Sequence, residues 1–284
     1  MRWREMQPSQ NVEDRRGMRA GFGGGGMGIR TGGLGLGGLL LLMVIGYFIT
    51  GDPLGLLGGG EVVQPQPTET GRGGVPTDEP AKMISHVLGD TEQVWKQLFA
   101  QQGRAYREPV LVLFSDAVNS ACGFNSAAVG PFYCPGDYKL YLDLSFFQEL
   151  NRRFGAPGDF AQAYVIAHEV GHHVQNLLGV FERARSMAQS RADANAISVR
   201  QELMADCFAG VWGHYAAARG LLDPGDVEEG LTAAAAIGDD RIQGRQGQIR
   251  PESFTHGSSA ERVKWFRQGV ETGQIKPCDT FASG

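Results

Sequence analysis

Apolar residues recur every three or four positions along much of the chain after residue 78, the spacing that turns one face of a helix toward a core. Capping residues and helix-stopping glycines bound these segments. The predicted helices cover about 79–102, as one helix or two short helices, and then 159–178, 192–219, 223–236 and 258–270. Helices therefore dominate the predicted body of the protein.

Two other segments have the character of strands. Residues 110–114 form a short apolar run of β-prone residues, and residues 139–144 contain Leu and Tyr in the manner of a strand. A turn-rich segment at 120–137 lies between them. The pattern as a whole predicts an α+β fold, with a mainly helical domain and a small β-sheet.

The front of the chain differs in composition from this body. Of 42 glycines in 284 residues, 18 lie between Gly17 and Gly60. Residues 1–33 show no hydrophobic period, which predicts a disordered segment. Residues 34–50 are apolar, and the 21 residues between Arg30 and Asp52 carry no charge. That length can cross a bilayer as one helix.

We therefore expect a transmembrane helix at 34–50, a Gly/Pro-rich linker at 51–80 and a folded domain at 81–284. A buried core helix or the apolar region of a signal peptide is the alternative for 34–50, but no small-residue cleavage site follows it. Six arginines and three acidic residues precede the span, so this flank has a net charge of +3. The total charge is −5, so the rest of the chain carries −8.

Positively charged flanks stay in the cytoplasm. The sequence therefore predicts a single-pass protein of the cell membrane with a cytoplasmic N-terminus and a periplasmic or extracellular domain. The acidic balance of that domain argues against a nucleic-acid partner. An even number of cysteines in an exported domain is typical of two disulfides, although four cysteines allow three connectivities. A structural zinc site is the alternative, but the chain lacks a Cys-x-x-Cys pair.

The predicted helix at 159–178 contains the sequence His168-Glu169-Val170-Gly171-His172. Histidines four residues apart lie on one face of a helix, so both imidazoles can reach one metal ion. Glu169 points elsewhere round the helix and can accept a proton from water at the metal. His173 is turned off the ligand face and is interpreted as a packing or surface residue. Gly171 would permit close approach of a second helix.

A zinc site with hydrolytic activity needs a third protein ligand and an acceptor for an imidazole N–H. The predicted helix at 192–219 carries Glu202 and Asp206 on one face, among apolar neighbours. Glu202 can supply the third ligand, and Asp206 can orient an imidazole. A solvated acidic pair is the alternative, but the neighbouring residues are too apolar for an exposed face.

Around these residues the chain resembles the bacterial neutral zinc metallopeptidase family, a gluzincin-like group with His-Glu-x-x-His followed by Glu-x-x-x-Asp. The matching segments are 122–123, 130–135, 141–147, 168–175, 202–212 and 255–262, followed by 265–266 and Cys278. The resemblance implies a zincin-like fold and one Zn²⁺ held by His168, His172 and Glu202. It also implies that Glu169 is the general base.

His256 and Arg262 look like the late His and Arg of CaaX-prenyl-protease-like membrane peptidases. By that analogy His256 stabilises the oxyanion of the tetrahedral intermediate. The alternative is that His256 has only a structural role at the start of the last helix. Arg262 would orient Asp206 or Glu202, or form a structural ion pair.

Peptidases of this type commonly hold the substrate as an added strand at a sheet edge. The segment 138–144 is the predicted edge, with an interior strand as the alternative. The expected disulfides join Cys122 to Cys134 across a short loop, and Cys207 to Cys278, which would fix the C-terminal tail beside the metal site.

The leading functional hypothesis is a membrane-anchored, zinc-dependent endopeptidase that acts on a protein or peptide substrate. One alternative is a zinc-stabilised, non-catalytic binding or scaffold protein of the envelope. Glu169 argues against it, because a scaffold needs no general base. Another is hydrolysis of a non-peptide amide, such as a cell-wall crosslink.

Overall fold

The computed structural model describes residues 1–17, 72–73, 76–187, 189–245 and 247–282. The α-helices in these ranges are α1 (Glu79–Gln101), α2 (Ser145–Arg152), α3 (Asp159–Leu177), α4 (Val180–Met187), α5 (Arg191–Ala218), α6 (Asp226–Ala236), α7 (Asp239–Arg245) and α8 (Ser259–Thr272). The strands are β1 (Val12–Asp14), β2 (Arg72–Gly73), β3 (Val110–Phe114), β4 (Ala117–Ser120), β5 (Gly123–Ser126), β6 (Phe132–Cys134) and β7 (Lys139–Asp143). The mainly helical α+β fold predicted from the sequence is confirmed.

Five strands form a mixed sheet in the order β2-β1-β3-β7-β6. The three inner strands are parallel, and β2 and β6 run antiparallel to their neighbours at the two edges. Residues 111–114 of β3 are buried, as expected for a central strand covered on both faces. The segment 138–144 was predicted at the edge, but β7 lies between β3 and β6, so the edge strand on this side of the sheet is β6.

The helices pack round α3, which contacts α1, α5 and α6. Gly171 of α3 allows this packing, because a Cβ there would lie 2.8 Å from the carbonyl oxygen of Ala205 on α5. Helices α5 and α8 also approach closely: a Cβ on Gly269 would overlap the Cys207 carbonyl. The glycine predicted to allow close packing therefore lies at the contact between the two helices that carry the motif residues.

Helix α1 is continuous through Gly89, which settles the choice between one helix and two. A Cβ at that position would overlap the backbone of Gln7 to Ser9, so this glycine makes room for the N-terminal segment. Helix α6 begins at Asp226 rather than near Asp223, because Gly225 adopts a positive φ of 100° and precedes the first turn.

The first 17 residues belong to the folded domain, in contrast to the disordered segment predicted for 1–33. Strand β1 pairs with β3, with Glu13 opposite Val112 and Asp14 opposite Leu113. Trp3, Met6 and Val12 are buried in the main hydrophobic core. This segment has no hydrophobic period that would predict a helix or strand, and only the tertiary partners make its burial evident. The rest of the predicted segment lies outside the described residues.

Among the described residues, no helix is both long and apolar enough to cross a bilayer. The span predicted at 34–50 lies outside them, as does most of the predicted linker, of which Arg72 and Gly73 form β2. The pairing of β1 with β3 places residues 1–17 beside the domain, on one side of any bilayer. The expectation that the N-terminus and the domain lie on opposite sides disagrees with this pairing.

The metal-ligand cluster and the cleft

Three side chains from α3 and α5 converge at one point. His168 and His172 lie one turn apart on α3, and Glu202 of α5 faces both of them. The His168 Nε2 atom is 3.1 Å from one carboxylate oxygen of Glu202, and the His172 Nε2 atom is 3.4 Å from the other. The structure thus brings together the three residues predicted as ligands from their spacing.

These separations suit a tetrahedral zinc ion. Ligand atoms about 2.0–2.1 Å from a tetrahedral Zn²⁺ lie about 3.3 Å from one another. Nitrogen and oxygen donors of this kind, two His and one Glu, are the donor set of a catalytic zinc site that leaves the fourth position open. The donor atoms, the separations and the open side toward a cleft therefore fit the metal.

Each ligand histidine is oriented through its second ring nitrogen. The His168 Nδ1–H donates to Asp206 at 2.8 Å, and the His172 Nδ1–H donates to the Gln175 side-chain oxygen at 3.0 Å. The Gln175 amide in turn donates to the Gln201 carbonyl on α5. In both rings Nε2 is therefore the nitrogen that faces Glu202, and it is the atom that can give up its proton to bind a metal.

Asp206 is fully buried and is held by a guanidinium. Arg262 of α8 donates from Nε and Nη2 to the two carboxylate oxygens, at 2.8 and 2.9 Å. The Tyr164 hydroxyl also donates to Asp206. Arg262 is only 2% exposed. A buried carboxylate needs such charge-assisted partners, and this one connects the ligand histidine to the last helix.

The charges of this cluster shift several pKa values. Burial alone would lower the pKa of His168, but the Asp206 carboxylate, with Glu202, raises it to about 10. Burial would raise the pKa of Glu202, yet the charges of His172 and His168 hold it well below its usual value. Burial is likewise outweighed at Asp206, whose pKa is lowered by Arg262 and His168. The two carboxylates are therefore ionised, as a cation site requires.

Glu169 lies beside this cluster without joining it. Its side chain is buried and lines the same cleft as the ligands. One of its carboxylate oxygens has no hydrogen-bond partner in the described part of the chain. Burial raises the pKa of Glu169, opposed by His172 and His168. An unpartnered, buried carboxylate oxygen next to three converging ligands is suited to accept a proton from a molecule in the cleft.

His256 also lines the cleft, and Asp239 holds it in place. One oxygen of Asp239 accepts from the backbone N–H groups of Thr255, His256 and Gly257, at 2.7, 2.6 and 3.2 Å. The other accepts from the His256 ring at 3.2 Å. This hydrogen bond raises the pKa of His256, although burial opposes it. An imidazole that is held in this orientation and has a raised pKa can donate a hydrogen bond into the cleft.

The cleft has a volume of about 700 Å³. One wall is formed by β6 and the loop before it, which the disulfide Cys122–Cys134 joins to the β4–β5 hairpin. Apolar side chains cover much of the lining, among them Val129, Phe146, Phe154 and Val165. The second disulfide, Cys207–Cys278, fixes the C-terminal turn to α5. Both cysteine pairings expected from the sequence are confirmed.

Sequence reasoning missed four residues that orient the site. Tyr164 precedes His168 by one turn and could have been found from that spacing, as could Gln175 from its position three residues after His172. Asp239 and Tyr133 give no such signal, because their partners lie 17 and 40 residues away in the chain. His173 was interpreted as a packing or surface histidine, and it is buried. Burial lowers the pKa of His173 to about 4.

Comparison with known proteins extends over the whole chain. The model of the family described as "Putative neutral zinc metallopeptidase" matches residues 1–281. The YpfJ protein of Escherichia coli K12 is 48% identical over 288 residues, with 99% of each chain covered. The Rv2575 protein of Mycobacterium tuberculosis H37Rv is 48% identical over 204 residues, covering 68% of this chain and 67% of its own. No solved structure matches the chain.

Proposed function

Because the chain belongs to the neutral zinc metallopeptidase family, we propose that it is a zinc-dependent endopeptidase whose catalytic centre is the cleft beside α3. The observation that carries the proposal is the convergence of His168, His172 and Glu202 next to a buried carboxylate, Glu169, with an unpartnered oxygen. A non-catalytic metal site has no use for that fourth group.

Zinc, when bound by these three residues, supplies a Lewis acid that polarises the scissile carbonyl and acidifies water. Glu169 accepts the proton of the attacking water and passes it to the leaving amine. His256, whose ring hydrogen-bonds to Asp239, donates a hydrogen bond to the oxygen that gains negative charge. Asp206 and Arg262 keep His168 in the required orientation.

The substrate is proposed to bind as an extended peptide along β6. Within the described residues this strand pairs only with β7, so its other edge can accept backbone hydrogen bonds. Phe132, Tyr133 and Pro135 line the cleft. The apolar lining favours a substrate with a large apolar side chain next to the cleaved bond.

The test of the proposal compares Glu169→Gln with Glu182→Gln, a matched change at an exposed position of α4. Each purified protein is assayed for zinc content and for hydrolysis of casein and peptide libraries. We expect about one zinc per chain in both, and a loss of about 10²- to 10⁴-fold in turnover only for Glu169→Gln. Equal turnover by the two variants would contradict the role of Glu169.

Two further results would redirect the assignment. A zinc-loaded wild-type protein that cleaves no peptide would favour the non-catalytic envelope scaffold. Faster hydrolysis of peptidoglycan fragments than of casein would favour a cell-wall amide substrate. Because both assays use the same purified protein, the three functions give distinct outcomes.

A location outside the cytoplasm is also proposed, because two disulfides persist in oxidising compartments. Attachment to the membrane rests on the sequence of residues 34–50 alone. Tags placed at each terminus and probed with protease in intact and permeabilised cells would test the arrangement. The pairing of β1 with β3 predicts equal accessibility of the two tags. Cleavage of only one tag in intact cells would contradict it.

A further inference from the structure

Strand β6 is held on both of its faces. Phe132 stacks on Tyr141 of β7, with ring centroids 4.8 Å apart, and Cys134 forms the disulfide to Cys122. Tyr133 points to the opposite face, as alternation along a strand requires, and lies against His173 of α3. Tyr133 therefore connects the strand that lines the cleft to the motif helix, and just past the end of the strand the Asn176 side chain also donates to the Pro135 carbonyl at 3.3 Å.

The Tyr133 hydroxyl is held by hydrogen bonds to His173 and Asn176. The His173 Nε2 atom is 2.6 Å from the carbonyl oxygen of Arg107, which can only accept, so Nε2 carries the proton. Nδ1 of the neutral ring must then accept, and the Tyr133 hydroxyl donates to it at 3.1 Å. The Asn176 amide donates to the same hydroxyl oxygen at 2.9 Å. Both hydrogen-bonding capacities of the hydroxyl are thus used by α3.

These contacts lie within one helical turn of the metal-binding cluster. His173 follows the ligand His172 directly, and Asn176 is one turn further along α3. Phe181 of α4 extends the connection, because its ring stacks on both Tyr133 and His172. The Tyr133 hydroxyl thus joins β6 directly to α3 beside the ligands, in addition to the three residue pairs that join β6 to β7.

We propose that Tyr133 is a positioning residue for the substrate: its hydroxyl fixes the free edge of β6 at the height where an extended peptide presents its scissile carbonyl to the cluster. This inference rests on the proposed peptidase function. Tyr133 touches α3 and not the reacting atoms, so its effect falls on peptides long enough to pair with β6. A substrate too short to form strand contacts does not depend on it.

The test compares Tyr133→Phe with Tyr141→Phe in the full-length zinc-loaded protein. Tyr141 of β7 is a matched control, because its hydroxyl also makes a side-chain hydrogen bond, to Asp137 in the turn between β6 and β7. Two substrates are used, a peptide of about seven residues and a blocked dipeptide. For Tyr133→Phe we expect KM for the longer peptide to rise about tenfold, with kcat and the zinc content little changed. The KM for the dipeptide should stay at the wild-type value.

An unchanged KM for the longer peptide in Tyr133→Phe would overturn the proposal. So would equal rises in KM for both substrates, or the same rise in Tyr141→Phe, since either result indicates a general structural effect. Binding measured without turnover separates this inference from the proposed function. On a Glu169→Gln background, fluorescence anisotropy should show about tenfold weaker binding of the longer peptide when Tyr133→Phe is added.

If the wild-type protein cleaves no peptide yet the longer peptide binds and depends on Tyr133, catalysis is refuted and the positioning role stands. If the wild type cleaves peptides and neither KM nor binding depends on Tyr133, the positioning role is refuted and the peptidase function stands.

Discussion

Substitution of Gly171 by alanine tests the close packing of α3 on α5. A Cβ at this position would lie 2.8 Å from the carbonyl oxygen of Ala205 and 3.0 Å from its Cα, whereas ordinary contacts begin near 3.4 Å. Both atoms belong to the backbone of α5 and cannot rotate away. The helices must therefore separate by about 0.6 Å at this contact.

The energetic balance follows from two opposing effects. Alanine gains about 1 kcal/mol over glycine in a helix interior. Overpacking a rigid contact costs about 3 kcal/mol, near the upper end of the usual range. The expected net loss is about 2 kcal/mol in the free energy of unfolding. Because Gly171 lies between the two ligand histidines and Ala205 follows Glu202 by one turn, the separation also disturbs the ligand set, and we expect zinc affinity to fall about tenfold or more.

Gly213→Ala is the matched control. Gly213 lies inside α5, as Gly171 lies inside α3. A Cβ on Gly213 would meet side-chain atoms at 3.6 and 3.7 Å, which are ordinary contacts. This variant should gain up to about 1 kcal/mol. Urea unfolding of both proteins with zinc removed, and zinc titration against a chelator, give the two quantities. A Gly171→Ala protein as stable as Gly213→Ala would refute the packing argument.

Three other changes test the groups around the cluster. Replacing Arg262 by Met removes the guanidinium that pairs with the buried Asp206 carboxylate, and urea unfolding should show a loss of about 3–5 kcal/mol; a neutral result would mean that this ion pair contributes little. Asp239→Asn removes the group that raises the pKa of His256. The imidazole then loses its proton at a lower pH, so the alkaline limb of the kcat/KM profile should move to lower pH, and an unmoved limb would argue against a role for His256 as a proton donor. Replacing Cys207 and Cys278 together by Ser opens a loop of 71 residues and should lower the free energy of unfolding by about 4 kcal/mol, measured by urea unfolding against the oxidised wild type; an unchanged value would mean that this disulfide adds little stability.

The two candidate ligand histidines could be predicted from the sequence because one helix brings them together. A spacing of four residues places His168 and His172 on one face whatever the rest of the fold does, and the same holds for Glu202 and Asp206. The capping box at Ser258 is likewise a local signal, and α8 begins where it predicts. The edge strand was not predicted correctly, because strand order depends on pairing between distant segments.

The N-terminal segment shows the same limit of prediction from a local sequence pattern. Residues 1–17 carry no periodic pattern, yet Val12 and Trp3 are buried by β3 and α1, which lie far along the chain. Their order arises from tertiary contacts alone. A prediction based on local composition assigned disorder to this segment for that reason, and placed it across a membrane from the sheet to which it contributes a strand.

The sequence by itself indicated five of the helices, the two histidines on one face of α3, and Glu202 and Asp206 on one face of α5, since each of these depends on residues within a few turns of one helix. Tertiary structure alone decided that Asp239 holds His256, that Tyr133 connects β6 to α3, and that β1 completes the sheet. In each of these cases the interacting groups are many residues apart in the chain. Their distance is set by how whole helices and strands pack together, which a local sequence pattern does not show.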